Sequence, residues 1–346
     1  MRNLLPMARP LVLYDAWRGR YTDSPRAIHE ELLRRDAPFE HVWVISPGNE
    51  EPPGATCVAP HSRDHLAALA RARHLVVNDL LPLYYVKAPG VTVTQTWHGT
   101  PLKRIGLDVL DPTYPHARRY RWHLRRNSRL WDHVVSQNSF STPILRRAFA
   151  YRGSILEVGY PRNDSLVREP CAPDGAVLFA PTWRDSGRRA ALAEDVRTLA
   201  DAIGPTRTLL LRLHKHEVDA LRGAALPANV RDVSAHGHVN DLMARADALV
   251  TDYSSIMFDF AVTGRPIVLH VPDLEQYRDV ERGFCFDLLA EAPGPVERTI
   301  DAVAAALEKQ LADGVDAERY DRFRATFAPL DDGRAAARVV EAVFGH

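Results

Sequence analysis

Short β-branched and apolar runs alternate along this chain with segments of helical pattern, and the alternation restarts part-way along. Residues 11–14, 41–46, 75–78, 91–97, 133–137 and 155–158 read as strands. Between them, residues 24–35 read as a helix, with Ser24 as N-cap and Pro25 at the first helical position, and residues 139–149 as another. A Pro- and Gly-containing joint follows at residues 169–175. Strands are then expected at 176–181, 208–213, 230–233, 248–251 and 266–270, helices at 239–246 and 254–263, and an Ala-rich helical tail over 296–344. Strands alternating with helices call for crossover connections, hence a parallel sheet covered on both faces. The chain therefore reads as α/β, with two doubly wound domains at 1–168 and 169–346. Open parallel sheets bind ligands outside their strand C-termini, which places the expected site in a cleft between the two.

Charge narrows the partners. Lys plus Arg and Asp plus Glu are both 44 among 346 residues, so bulk charge argues against a nucleic-acid binder. Residues 1–165 hold 23 Lys/Arg against 15 Asp/Glu, and the remainder 21 against 29, so a basic half precedes an acidic one. A basic half suits an anionic partner. Cys57, Cys171 and Cys285 have no paired spacing, which argues against a disulfide framework and a Cys-rich zinc site and fits a reducing compartment. Pro6, Arg9 and Pro10 interrupt the first apolar run, so no signal peptide is expected. The most apolar stretch, 75–86, is broken by Asn78, Asp79 and Pro82, well short of the ~18 apolar residues a spanning helix needs. Any membrane contact is expected from the surface.

Five segments carry chemistry. In residues 95–103 (QTWHGTPLK), His98 stands where a strand gives out into Gly99, Thr100 and Pro101, a placement suited to taking a proton from a hydroxyl near neutral pH. Lys103 and Arg104 follow, so an anion is expected nearby. In residues 250–260 (VTDYSSIMFDF), a strand ends at Thr251–Asp252 and a helix begins at Ser254 or Ser255. Helix-end N–H groups and hydroxyls converge there, which suits phosphate as well as plain capping. Residues 211–217 (LRLHKHE) put His214 at a strand end among Arg212, Lys215 and His216. Spacing His214 and His216 two apart is poor for chelation, so a cationic pocket for a diphosphate fits better than zinc. Residues 181–185 (PTWRD) offer Thr182 and Arg184 to an oxyanion. Residues 116–131 carry Arg118, Arg119, Arg121, Arg125, Arg126 and Arg129 with Tyr120, Trp122 and Trp131 interleaved and no acidic residue. As a helix this suits an anionic membrane surface, with Arg118, Arg121, Trp122, Arg125 and Arg129 as the contacts.

In order, residues 95–103, 159–164 (GYPRND), 181–184 (PTWR), 251–255 (TDYSS) and 264–266 (GRP) resemble the CDP-glycerol glycerophosphotransferase family of teichoic acid synthesis. The resemblance runs from about residue 21 to 287. It implies a GT-B fold, two Rossmann-like domains facing a cleft, and transfer of glycerol or ribitol phosphate from a CDP-alditol to a lipid-linked acceptor with release of CMP. It implies that the first domain faces acceptor and membrane and the second binds the donor. By resemblance His98 is the general base and His214 the second functional histidine. Thr251, Ser254 and Ser255 match the phosphate-contacting turn and Arg184 an arginine of the family pattern; from their places in the sequence Thr182 is expected with them on the donor phosphates, and Gly99, Thr100 and Lys103 at the acceptor or an anion. No cofactor and no metal is required by this reading, and the protein is expected on the cytoplasmic face of the membrane. Cys285, in residues 282–287 (RGFCFD), departs from the aromatic residue usual in the family. The length is similar to that of the primase type. A GT-B sugar transferase using a nucleotide sugar is the alternative, and a catalytically silent membrane-binding protein on the same fold a further one.

Overall fold

The computed structural model describes residues 9–109, 117–168, 173–182, 184, 192–214, 217–218, 221 and 225–346. Cys171, Lys215, His216 and residues 169–172 of the expected joint at 169–175 lie outside them. The chain forms two units: Met1–His98 with Pro115–Asp164 and Asp332–His346, and Gly99–Tyr114 with Ser165–Asp331.

The first unit holds seven strands: β1 (Leu11–Asp15), β2 (Glu40–Val44), β3 (Thr56–Val58), β4 (His74–Val77), β5 (Thr92–Gln95), β6 (His133–Ser136) and β7 (Ser154–Glu157). They lie in the order β3-β2-β1-β4-β5-β6-β7, every pair parallel. Leu11, Val12, Leu13 and Tyr14 are all buried, as a strand covered on both faces requires. The connections include α1 (Asp23–Arg34), α2 (Arg63–Arg71), α3 (Ala117–Ser128) and α4 (Ser141–Ala148). The three-residue β3 and the helix α2 carry too weak a pattern to stand out in the sequence. Ser62 Oγ caps α2 by accepting from the His65 N–H. The N-cap of α1 is Thr22, not Ser24: Ser24 lies inside the first turn, fully buried, where the Asp23 carboxylate accepts its N–H at 2.7 Å.

The second unit holds β8 (Ala176–Ala180), β9 (Thr208–Leu211), β10 (Val230–Asp232), β11 (Ala246–Thr251), β12 (Ile267–His270) and β13 (Val296–Glu297), in the parallel order β10-β9-β8-β11-β12-β13. Its core joins Val177, Phe179, Val196, Leu209, Val250 and Val303. In both sheets the first strand lies beside the fourth, the Rossmann switch point where an open α/β sheet leaves a crevice at its strand C-termini.

The tail departs from expectation. Val296–Glu297 is an edge strand beside β12, and helices follow at Ile300–Asp313 and Ala317–Phe327 in the second unit. The last helix, Ala335–Phe344, belongs to the first unit, so the two units are not the simple halves the sequence suggested. Asp164 explains its return: its carboxylate accepts the N–H groups of Ala335 at 2.9 Å and Ala336 at 2.8 Å, an end cap supplied from the GYPRND segment. Arg338 Nη1 donates to the Val158 carbonyl at 3.1 Å, and Arg35 pairs with Glu341 at 3.1 Å. Among the described residues no helix is long and apolar enough to cross a membrane, no group of three His, Cys, Asp or Glu converges as a metal site, and Cys57 and Cys285 form no disulfide.

Candidate active site

In the first unit the polar residues gather at the switch point between β1 and β4. After Asp15 the chain makes a left-handed turn through Trp17, Arg18 and Gly19, at φ 44°, 57° and 85°. Only glycine fits the third place, because a Cβ there would meet Ser46 Oγ at 2.5 Å. Asp23 (φ 63°) and Trp97 (φ 54°) are also left-handed, so Trp17, Asp23 and Trp97 bring left-handed backbone to one place. Strain of this kind persists only where the surroundings over-determine it.

At that place lies His98. Its ring stacks on Trp97 at 3.9 Å between centroids and lies 4.6 Å from Trp17. Asp23 organises the neighbours: its carboxylate accepts from Trp17 Nε1 at 2.8 Å, Asn78 Nδ2 at 3.2 Å and Arg162 Nη1 at 3.2 Å. Arg162 Nη1 also donates to the His98 carbonyl at 2.8 Å. Burial pushes the His98 imidazole below its ordinary value, Asp23 pulls it up, Arg162 pushes it down and Asp79 pulls it up, with the net downward. The ring is thus neutral near pH 7 and able to accept a proton. Burial alone would raise Asp23, but Arg162, Trp17 and His98 outweigh it and keep the carboxyl below its usual range. Asp15, at the end of β1, is pushed up to about 7 by burial and by the charge of Asp79.

In the second unit the switch point lies between β8 and β11. Thr251 Oγ1 donates to the Ala180 carbonyl at 2.7 Å and ties the two strand ends together. Asp252 is fully buried: Oδ1 accepts the N–H groups of Thr182 at 2.8 Å and Tyr253 at 2.6 Å, and Oδ2 faces Arg184 at 2.9 Å. Arg184 binds Asp273 through Nε at 2.6 Å and Nη2 at 3.1 Å, and donates to the Thr182 carbonyl at 2.6 Å. Its guanidinium lies over the rings of Tyr253 and Tyr277, and Tyr253 OH donates to Asp273 at 3.0 Å. Burial lowers the Arg184 pKa, but Asp252 and Asp273 outweigh it and raise it above the ordinary value. Ser254 and Ser255 are the two residues of the 251–260 stretch that are not fully buried, and the helix Ile256–Phe260 starts behind them. His214 is exposed three residues beyond β9, and its carbonyl accepts the Glu217 N–H at 2.8 Å.

Residues 1–345 match the family described as CDP-glycerol:poly(glycerophosphate) glycerophosphotransferase. The chain belongs to this family. It is 33% identical over 372 residues to the teichoic acid poly(glycerol phosphate) polymerase of Bacillus subtilis (strain 168), covering 99% of this chain and 50% of that one. It is 33% identical over 367 residues to the teichoic acid glycerol-phosphate transferase of Staphylococcus aureus, covering 96% and 92%. A structure of a variant of the wall teichoic acid polymerase TagF, soaked with CDPG, superposes with a TM-score of 0.86 at 30% identity, over 97% of this chain and 88% of that one. The chain thus spans half the length of the B. subtilis relative. The two Rossmann-like sheets and the TagF match together give the GT-B fold that the motifs implied.

Thr251 and Arg184 were expected on the donor phosphates, yet the Thr251 hydroxyl serves β8 and the Arg184 donors serve Asp252, Asp273 and Thr182. Ser254 and Ser255, expected at the same place, are half-buried in the turn ahead of the helix Ile256–Phe260. Thr182 Oγ1 is buried and meets no partner among the described residues. Gly99 and Thr100 are buried, and with Lys103 they count with the second unit, not the first. In α3, Arg118, Arg119, Trp122 and Arg125 are exposed, as is Arg129 just beyond it, while Arg121 is half-buried. Trp131 is buried against Phe149 and has a packing role, and Arg126 donates to the Tyr85 carbonyl. Sequence reasoning missed Asp23, Trp17, Asp15 and Asp273. Arg162 stood in a quoted motif without a role, and its position in GYPRND was the available signal.

Proposed function

We propose that this chain transfers glycerol phosphate or ribitol phosphate from a CDP-alditol to a hydroxyl of a lipid-linked teichoic-acid-type acceptor, releasing CMP. The half-buried His98, its ring against Trp97 and Trp17 and its carbonyl held by the Arg162 that pairs with Asp23, is the observation that carries the reading. The acceptor oxygen attacks the β-phosphorus, which bears the alditol, as its proton passes to His98. The bond from that phosphorus to the bridging oxygen breaks, and CMP departs with the electron pair. The imidazolium that forms is stabilised by the Asp23 carboxylate. Ser254, Ser255 and His214 receive charge on the donor phosphates, while Arg184 shapes their turn from behind. Proton transfer and charge stabilisation come from side chains, and the reading assigns no cofactor.

The exposed arginines of α3, with Trp122, hold the protein peripherally on the anionic cytoplasmic leaflet, where a lipid-linked acceptor is met. Mass spectrometry of products from a panel of CDP-alditols and a lipid-disaccharide acceptor tests the function. Added alditol phosphate with stoichiometric CMP supports it. Sugar transfer with UDP release from a nucleotide sugar overturns it.

A further inference from the structure

We infer that Gln95 is a positioning residue for His98: its buried carboxamide holds the left-handed turn at Trp97, and the Trp97 ring in turn fixes the plane of the imidazole. The inference rests on the proton-accepting role of His98 proposed above. Gln95 ends β5 opposite Val77 of β4 and is 1% exposed, so an unpaired amide there would be costly. Its Nε2 donates to the Asp79 carbonyl at 3.1 Å, and its Oε1 accepts the Trp97 N–H at 2.9 Å. The amide fits only this way round, because a carbonyl cannot donate and an N–H cannot accept. It thereby ties the chain beyond β4 to the turn that follows β5. An ionised glutamate here would only accept, and a methionine would do neither.

The turn needs such a tie. Trp97 has φ 54°, where a bulky side chain is an outlier and persists only if its surroundings hold it. Gln95 takes its N–H, Thr96 Oγ1 donates to its carbonyl at 3.2 Å, and Arg162 Nη1 donates to the next carbonyl, that of His98, at 2.8 Å. The backbone so fixed sets the side chains. The Trp97 and His98 rings stack at 3.9 Å and 29°, and the Trp97 ring meets the buried Phe149 ring at 4.7 Å and 64°. A rotation of the Trp97 backbone would therefore swing the surface on which the imidazole rests. A base must lie within hydrogen-bond reach of the proton it removes, and a displacement of about 1 Å can cost about a hundredfold in rate.

Gln95→Met keeps the length of the side chain and removes both hydrogen bonds; Trp97→Leu keeps the Gln95 bond and removes the ring. In each, kcat for CMP release from CDP-glycerol with a lipid-disaccharide acceptor should fall about ten- to a hundredfold, with calorimetric donor affinity unchanged. Added to His98→Ala, either change should lower the rate little further, because it acts through a ring already gone. Nuclear magnetic resonance of protein with ¹³C-labelled histidine reads the positioning without turnover. The His98 ring signal, identified by its loss in His98→Ala, is displaced in the wild type by the Trp97 ring current and should move toward the position of an ordinary histidine in both variants. Thermal unfolding verifies that each is folded. Should Gln95→Met not fold, Gln95→Asn, which keeps the amide but shortens it by one methylene, carries the same test. Wild-type kcat and an unmoved His98 signal in a folded Gln95 variant overturn the inference, and so does a loss of rate that persists undiminished in the His98→Ala background. Near-native turnover in His98→Ala itself refutes the proton-accepting role, a result distinct from any displacement of the His98 signal by Gln95.

Discussion

Replacing Asp23 with Asn removes a charge from beside His98 while keeping the side chain's shape. The carboxylate is 5% exposed and pairs with an Arg162 side chain that is 9% exposed. Removing one partner of a buried ion pair costs about 3–5 kcal/mol. Here Arg162 keeps the His98 carbonyl and the Asn oxygen still accepts from Trp17, so a loss of about 2–3 kcal/mol in stability is expected. The catalytic loss is separate. The Asp23 charge favours the charged form of the His98 ring, so its loss disfavours the imidazolium. Because that imidazolium forms in the transition state, turnover should fall about ten- to a thousandfold. Asp23 raises the His98 pKa, so its removal lowers it further, and the acid limb of the kcat/KM–pH profile moves to lower pH as the plateau falls. The stability gap has its own pH dependence. Asp23 is depressed in the fold, so its contribution is full above the unfolded carboxylate range and is lost as pH falls through the folded value. The gap between wild type and variant should therefore close in strong acid. CMP release across pH, alongside thermal unfolding, measures both effects. A folded Asp23→Asn enzyme with a wild-type plateau and an unmoved acid limb would refute the reasoning.

The combined Ser254→Ala and Ser255→Ala variant should bind CDP-glycerol about tenfold or more weakly in calorimetry, since the turn keeps its backbone donors and loses two hydroxyls; unchanged affinity would count against a phosphate site there. Asp15→Asn should gain stability over the wild type as pH rises from about 4 to about 7, because the raised Asp15 pKa means the unfolded chain ionises first; a stability difference flat across that range contradicts the placement of Asp15. Exchanging Arg121, Arg125 and Arg129 for Glu should release the protein from anionic vesicles while donor binding persists, each basic residue near the surface contributing about 1 kcal/mol. Sedimentation with vesicles at moderate salt despite those changes would show that α3 is not the anchor.

The two sheets were legible because parallel strands buried on both faces read as continuous apolar runs, as in residues 11–14 and 176–180. β3 and β13 were not, because two or three residues at a sheet edge set no period. The placement of the last helix was hidden because it depends on one side chain, Asp164, capping a helix 171 residues further on. The site divides in the same way. His98 and the serines of residues 251–255 announce themselves at strand ends. Asp23 does not, since it reads as one more acidic residue in a first helical turn, and only the fold brings it to Arg162 and Trp17. Arg184 was visible as a cation, but its carboxylate partners Asp252 and Asp273 lie 68 and 89 residues away, so its commitment could not be read locally.

The central claim is that His98 takes the proton from the attacking hydroxyl. The most direct test is the rate of CMP release from CDP-glycerol with a lipid-disaccharide acceptor, comparing wild type with His98→Ala and measuring donor affinity in the same preparations. The account predicts a rate about 10²–10⁴-fold lower in the variant with donor binding intact and the unfolding transition preserved. Near-native turnover in folded His98→Ala would contradict it.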